Sequence, residues 1–119
     1  MKTILLVEDN AGIVELMCDV LTEEGYSLVI AYTCREAFAQ LEIMDPDLII
    51  CDLMLTDGSS EGLGRYARSH PRLRQVPILL ISAIRPTDIP AATWYTNYLA
   101  KPFDLTDLLE RIECLTAIA

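Results

Sequence analysis

Five residues of this chain could do chemistry together: Glu8, Asp9, Asp52, Ser82 and Lys101. Each stands directly after a short apolar run: Ile4-Leu5-Leu6-Val7 before Glu8-Asp9, Leu48-Ile49-Ile50-Cys51 before Asp52, Ile78-Leu79-Leu80-Ile81 before Ser82, and Tyr98-Leu99-Ala100 before Lys101-Pro102. Three carboxylates brought to one place repel one another, so at neutral pH they need either a proton or a hard cation. Oxygen ligands with positions left for water suit magnesium. A lysine and a hydroxyl in the same cluster suit a second anion of the phosphoryl type, with Lys101 as a point charge and Ser82 as a hydrogen-bond donor. A carboxylate beside a metal and an ammonium can act as a nucleophile toward phosphorus.

The elements that must position these groups are legible in the hydrophobic pattern. The four runs above, together with Leu28-Val29-Ile30-Ala31, are unbroken and rich in β-branched residues, as strands covered on both faces require. Between the first two runs, Ile13, Leu16, Met17, Val20 and Leu21 form a helical stripe that Gly25 ends. Thr33-Cys34-Arg35-Glu36 has the capping-box pattern and opens a second helix carrying Ala37, Phe38 and Leu41, closed near Asp45-Pro46. A last helix places Leu105, Leu108, Leu109 and Ile112 behind Asp104 as its cap. The segment Glu61 to Ser69 contains Gly62 and Gly64, each costing about 1 kcal/mol of helix propensity relative to alanine, so this third helix needs tertiary support. From Arg85 to Asn97, Pro86, Pro90, Thr93 and Thr96 predict a fourth helix that is short or irregular. Strands alternating with helices imply right-handed βαβ units, a parallel sheet, and function at the carboxyl ends of the strands.

Composition agrees with one packed domain over residues 1–119: 52% of the residues are hydrophobic and 23% charged. A formal net charge of −9 repels nucleic acid and anionic lipid, so neither is an expected partner. Cys18, Cys34, Cys51 and Cys114 have no CxxC spacing, and His70 is the only histidine, which argues against a zinc site or a disulfide framework. Each cysteine reads as a small buried hydrophobe. No apolar run approaches membrane-spanning length, and the expected setting is the cytoplasm. Arg65, Arg68, Arg72, Arg74 and His70 read as a solvated basic face, and Trp94 and Tyr95 as packing residues.

Four segments in order carry a resemblance. Ile4 to Asn10, Pro46 to Leu55, Val76 to Ala83 and Tyr98 to Phe103 resemble the receiver domain of two-component response regulators. That resemblance implies a CheY-like, flavodoxin-type α/β fold: a doubly wound five-stranded parallel sheet of order 2-1-3-4-5 with helices on both faces. It implies that Asp52 is phosphorylated by a histidine kinase or phosphotransfer protein, in a magnesium-dependent reaction that the domain itself catalyses, as it does the dephosphorylation. Asp9 and Asp52 would bind Mg2+ directly, Glu8 through water, and Met54 by its backbone carbonyl. Ser82 and Lys101 would bind phosphoryl oxygens, the Lys101-Pro102 bond would be cis, and Ser82 and Tyr98 would form the switch. Downstream it implies a protein effector or a fused output domain, with a homodimer as one option.

Departures and rivals follow from the same residues. Thr56 and Ser60 stand where the family has Pro and Gly, which predicts a less rigid loop and a different entry to the third helix. Ser82 to Lys101 spans 19 positions, fewer than is usual in the family, which bears on the fourth helix. Met54 and Ile84, two positions past Asp52 and Ser82, are apolar where a polar group could orient water, which predicts slow loss of the phosphoryl group. A flavodoxin-type cofactor carrier would need a hydroxyl- and glycine-rich loop in place of Glu8-Asp9, and an aspartate phosphatase would need a second Asp at position 54. The remaining alternative is a degenerate receiver acting as a phosphorylation-independent interaction module.

Overall fold

The structure is a computed structural model that describes residues 1–84 and 94–117. Its elements in chain order are β1 (Thr3–Val7), α1 (Ala11–Glu23), β2 (Ser27–Ala31), α2 (Cys34–Ile43), β3 (Leu48–Asp52), β4 (Met54–Leu55), β5 (Gly58–Ser59), α3 (Glu61–Ser69), β6 (Ile78–Ser82), β7 (Asn97–Ala100) and α4 (Leu105–Thr116). Five strands form one sheet of order β2-β1-β3-β6-β7, and every pairing in it is parallel. Counted without the small β4–β5 pair, this is the 2-1-3-4-5 order expected. The short or irregular fourth helix was expected over Arg85 to Asn97, and most of that span lies outside the described residues.

Unbroken apolar strands feed two cores because successive side chains alternate across the sheet. Leu5, Val7, Ile49, Cys51, Ile78 and Leu80 face α2 and α3. Ile4, Leu6, Leu48, Ile50, Leu79 and Ile81 face α1 and α4.

The helix ends follow from local chemistry. Asn10 Oδ1 accepts from Ile13 N at 3.0 Å and starts α1. At its far end, Gly25 takes φ +93°, Gly25 N donates to Thr22 O and Tyr26 N to Leu21 O, both at 3.0 Å, the paired bonds of a Schellman stop. Thr33 Oγ1 accepts from Glu36 N while Glu36 Oε1 accepts from Tyr32 N, each at 3.1 Å, so the capping box forms with its return bond one residue early. Asp104 caps α4 by accepting from Thr106 N at 3.0 Å.

Three expectations are corrected. Helix α1 buries Val14, Met17 and Leu21, whereas Leu16 is 42% exposed: the apolar band is broad enough for the helix to sit rotated toward Val14. Cys18 is partly buried and Cys114 exposed on the outer face of α4, so only Cys34 and Cys51 are buried hydrophobes; all four are free thiols. The basic cluster is a solvated face only in part: Arg65, Arg72 and Arg74 are exposed, but two of its arginines hold backbone carbonyls. Arg68 donates to Arg74 O and Val76 O, and Arg72 to Met44 O and Leu41 O, while pairing with Asp45.

The loop after Asp52 is a hairpin in which Met54 pairs with Ser59 and Leu55 with Gly58, whose φ of +131° suits glycine. The entry to α3 does differ from a usual cap: Ser60 makes no side-chain capping bond, and its buried Oγ has no partner among the described residues. The support α3 needed comes from Trp94, 1% exposed. Its ring lies so close to Gly64 that a Cβ there would fall 2.1 Å from Cε3.

Candidate functional site

Register alone assembles the site. Val7 is level with Cys51, Asp52 with Ile81, and Ser82 with Ala100, so the residues ending or following β1, β3, β6 and β7 share the carboxyl edge of the sheet. One carboxylate oxygen from each of Glu8, Asp9 and Asp52 lies within 4.8 Å of the others. Lys101 Nζ donates to Asp52 Oδ2 at 2.8 Å and to Glu8 Oε1 at 3.0 Å. The second Glu8 oxygen accepts from Asn10 N at 3.1 Å. The Lys101-Pro102 bond is cis, as expected, and Lys101 N donates to Ser82 O at 2.9 Å.

Electrostatics follow from burial. Glu8 is 2% exposed; burial pushes its carboxyl above the usual range, the Lys101 and Asn10 bonds offset part of that, and the Asp52 charge adds to it. Burial pulls the Lys101 ammonium down, but its bonds to Asp52 and Glu8 outweigh this and raise it. Lys101 therefore stays charged at neutral pH, and three carboxylates against one ammonium leave an excess of negative charge. The donor set fits a hard divalent ion. Three carboxylate oxygens gathered within 4.8 Å of one another are the hard ligands that magnesium prefers.

The other expected residues lie around this cluster. Ser82 is buried, and its Oγ accepts from Ile84 N at 3.0 Å, which leaves the hydroxyl proton to donate elsewhere. Tyr98 is half-buried, and its hydroxyl donates to Ser82 O at 3.0 Å and to Ile84 O. The Met54 side chain is 54% exposed at the start of β4. Among the described residues, the side chains of Ser82, Tyr98 and Met54 make no hydrogen bond to Asp52 or Lys101.

Two contributors escaped the sequence reading. Asp57 accepts from Cys34 N at 2.9 Å and from Arg35 N at 3.0 Å, fastening the hairpin after Asp52 to α2. Arg111 donates to Asn97 Oδ1 and Tyr98 O, fixing β7 from α4. Asp57-Gly58 is a turn signal, but nothing in it names the helix it reaches.

Comparison with known proteins is decided by a family description covering most of the chain: the response regulator receiver domain, matching residues 4–113. The chain belongs to this family. The receiver is 32% identical over 117 residues to the phosphate regulon transcriptional regulatory protein PhoB of Escherichia coli, covering 96% of this chain and 51% of that protein. It thus spans about half the length of the curated relatives it matches. Among solved structures, it superposes with a TM-score of 0.86 on the response regulator TrrA of Thermotoga maritima in complex with Mg2+-BeF (28% identity, 97% of this chain and 99% of that one). It gives the same score with the receiver domain of sensor histidine kinase PA1611 from Pseudomonas aeruginosa, solved with magnesium in the active-site cleft (26% identity, 98% of each chain). The receiver is therefore a two-component signalling domain with the CheY-like fold. Among its described residues, no helix is long and apolar enough to cross a membrane.

Proposed function

We propose that this receiver, one unit over residues 1–119, accepts a phosphoryl group on Asp52 from a histidine kinase or phosphotransfer protein in the cytoplasm and relays it as a change of surface. The observation that carries this reading is Lys101 bridging Asp52 and Glu8 at 2.8 and 3.0 Å within a three-carboxylate cluster. Asp9, Asp52 and the Met54 carbonyl hold magnesium, with Glu8 acting through water. Magnesium supplies positive charge where carboxylate and phosphoryl oxygens crowd together.

Each residue then has a physical task. An Asp52 oxygen forms the bond to phosphorus as the donor's bond to phosphorus breaks. Lys101 holds Asp52 at the outset and binds a phosphoryl oxygen afterwards, and Ser82 donates its hydroxyl proton to another. Phosphorylation replaces the single negative charge of Asp52 with up to about two on the phosphoryl oxygens, drawing Ser82 inward. Because Tyr98 is bonded to the Ser82 carbonyl, the ring follows that movement, and β7 with α4 presents a changed surface to an effector, an output domain or a second copy.

Incubation with a small acyl phosphate and Mg2+, read by intact mass, tests the proposal. The parent gains one phosphoryl group and Asp52→Ala gains none. A parent that gains none leaves the phosphorylation-independent interaction module as the reading.

A further inference from the structure

The β4–β5 hairpin is too small to hold itself, since two short paired strands are not stable alone in water. Its anchors are therefore external, and they lie at both ends of a continuous path. At one end, Leu53 N donates to Ile81 O at 3.3 Å and Ser60 N donates to Leu53 O at 2.8 Å, which ties the hairpin to the residue next to Asp52. At the other, Asp57 in the turn accepts from the first two backbone N–H groups of α2, Cys34 at 2.9 Å and Arg35 at 3.0 Å. Cys34 Sγ sits 3.6 Å from Ser59 O and 3.9 Å from Gly58 O, seated against the same hairpin.

Thr33 caps only part of the first turn of α2, and Asp57 takes the first two amides, which Thr33 leaves open. Thr33 Oγ1 accepts from Glu36 N and Glu36 returns to Tyr32 N. Asp57 is exposed and would be free to solvate, yet both of its carboxylate oxygens are committed to consecutive amides at the positive end of the helix. Those amides hold the carboxyl below its usual range. What the contact adds is a fixed position for Met54 to Ser59 relative to the sheet.

We infer that Asp57 is a positioning residue for the metal site: by pinning the hairpin to α2 it sets the backbone that begins at Met54, two residues past Asp52. This deepens the proposed function and rests on it, since it takes the Met54 carbonyl as a magnesium ligand. Coupling of this kind is reciprocal. If the pin organises the site, magnesium binding at the sheet edge reaches the Cys34 and Arg35 amides.

Titration of the receiver with Mg2+ alone, followed by calorimetry and by the amide resonances of Cys34 and Arg35, tests this. Asp57→Ala raises the half-saturating magnesium concentration roughly fivefold and abolishes the magnesium-induced shift of both amides. Asp57→Asn, which keeps one acceptor oxygen, falls between. Thr33→Ala loosens the same helix end while leaving the Asp57 bonds in place, and keeps the parent's magnesium affinity. Asp57→Ala binding magnesium as the parent does, or Thr33→Ala weakening it equally, overturns the inference. A parent that takes up no magnesium removes the reading of the site itself, and the inference with it.

Discussion

Lys101 approaches Asp52 more closely than it approaches Glu8, 2.8 against 3.0 Å, and it holds both carboxylates at once. Their side chains are 20%, 13% and 3% exposed respectively, so little solvent screens the group. Lys101→Met leaves two enclosed carboxylates facing each other, and we expect a loss of about 2–3 kcal/mol in urea unfolding at neutral pH, partly recovered by Mg2+. Arg65→Met, which breaks the exposed pair with Glu61, changes stability by less than about 0.5 kcal/mol. Equal losses in the two variants would show that the Lys101 bridge carries no special weight.

Two glycines in α3 respond in opposite directions to the same substitution. A Cβ at Gly64 meets three ring atoms of Trp94 within 2.9 Å, so Gly64→Ala forces the core apart and destabilises by about 1–3 kcal/mol. A Cβ at Gly62 meets no atom of the described residues within 4 Å, and Gly62→Ala stabilises by up to about 1 kcal/mol through helix propensity. Chemical denaturation of both variants gives the signs directly.

Met54 and Ile84 present apolar side chains that are 54% and 36% exposed. Neither can orient a water molecule for attack on an acyl phosphate, so the phosphorylated receiver is expected to be long-lived. Met54→Asn supplies a polar group and shortens the lifetime roughly tenfold, measured by the decay of the phosphorylated mass after removal of the donor. Loss no faster than in the parent counts against this.

The Asp57 carboxyl lies below the ordinary aspartate value of 3.8 because Cys34 N and Arg35 N donate to it. A depressed acid contributes stability that is complete above its unfolded value and disappears as pH falls through the folded one. The stability difference between the parent and Asp57→Asn is therefore constant from pH 7 to about 5 and closes below about pH 4. Thermal unfolding across that range checks it; a difference that persists into strong acid assigns the effect to packing.

The central strands were readable because a strand covered on both faces has to be an uninterrupted apolar run, and each reactive residue sat at the end of one. That spacing alone brought Glu8, Asp9, Asp52 and Lys101 together. Other features carry no such signature. The face α1 buries was misjudged because Ile13, Val14, Leu16, Met17, Val20 and Leu21 make a band wide enough for more than one rotation. Two-residue strands at Met54–Leu55 and Gly58–Ser59 are shorter than any periodicity can register. The Gly64 contact joins residues thirty positions apart, and Arg68 and Arg72 bond to carbonyls, which no side-chain pattern encodes.

The partners of Asp57 and Arg72 stand at opposite poles of α2: the acid takes its leading amides, and the guanidinium takes the trailing carbonyls of Leu41 and Met44. Both grips come from the stretch of chain that enters and leaves α3, and each has the sign the helix dipole favours. Helix α2 is thus a beam clamped at both ends by its neighbour, and neither end can shift against the α3 region without giving up one of these bonds.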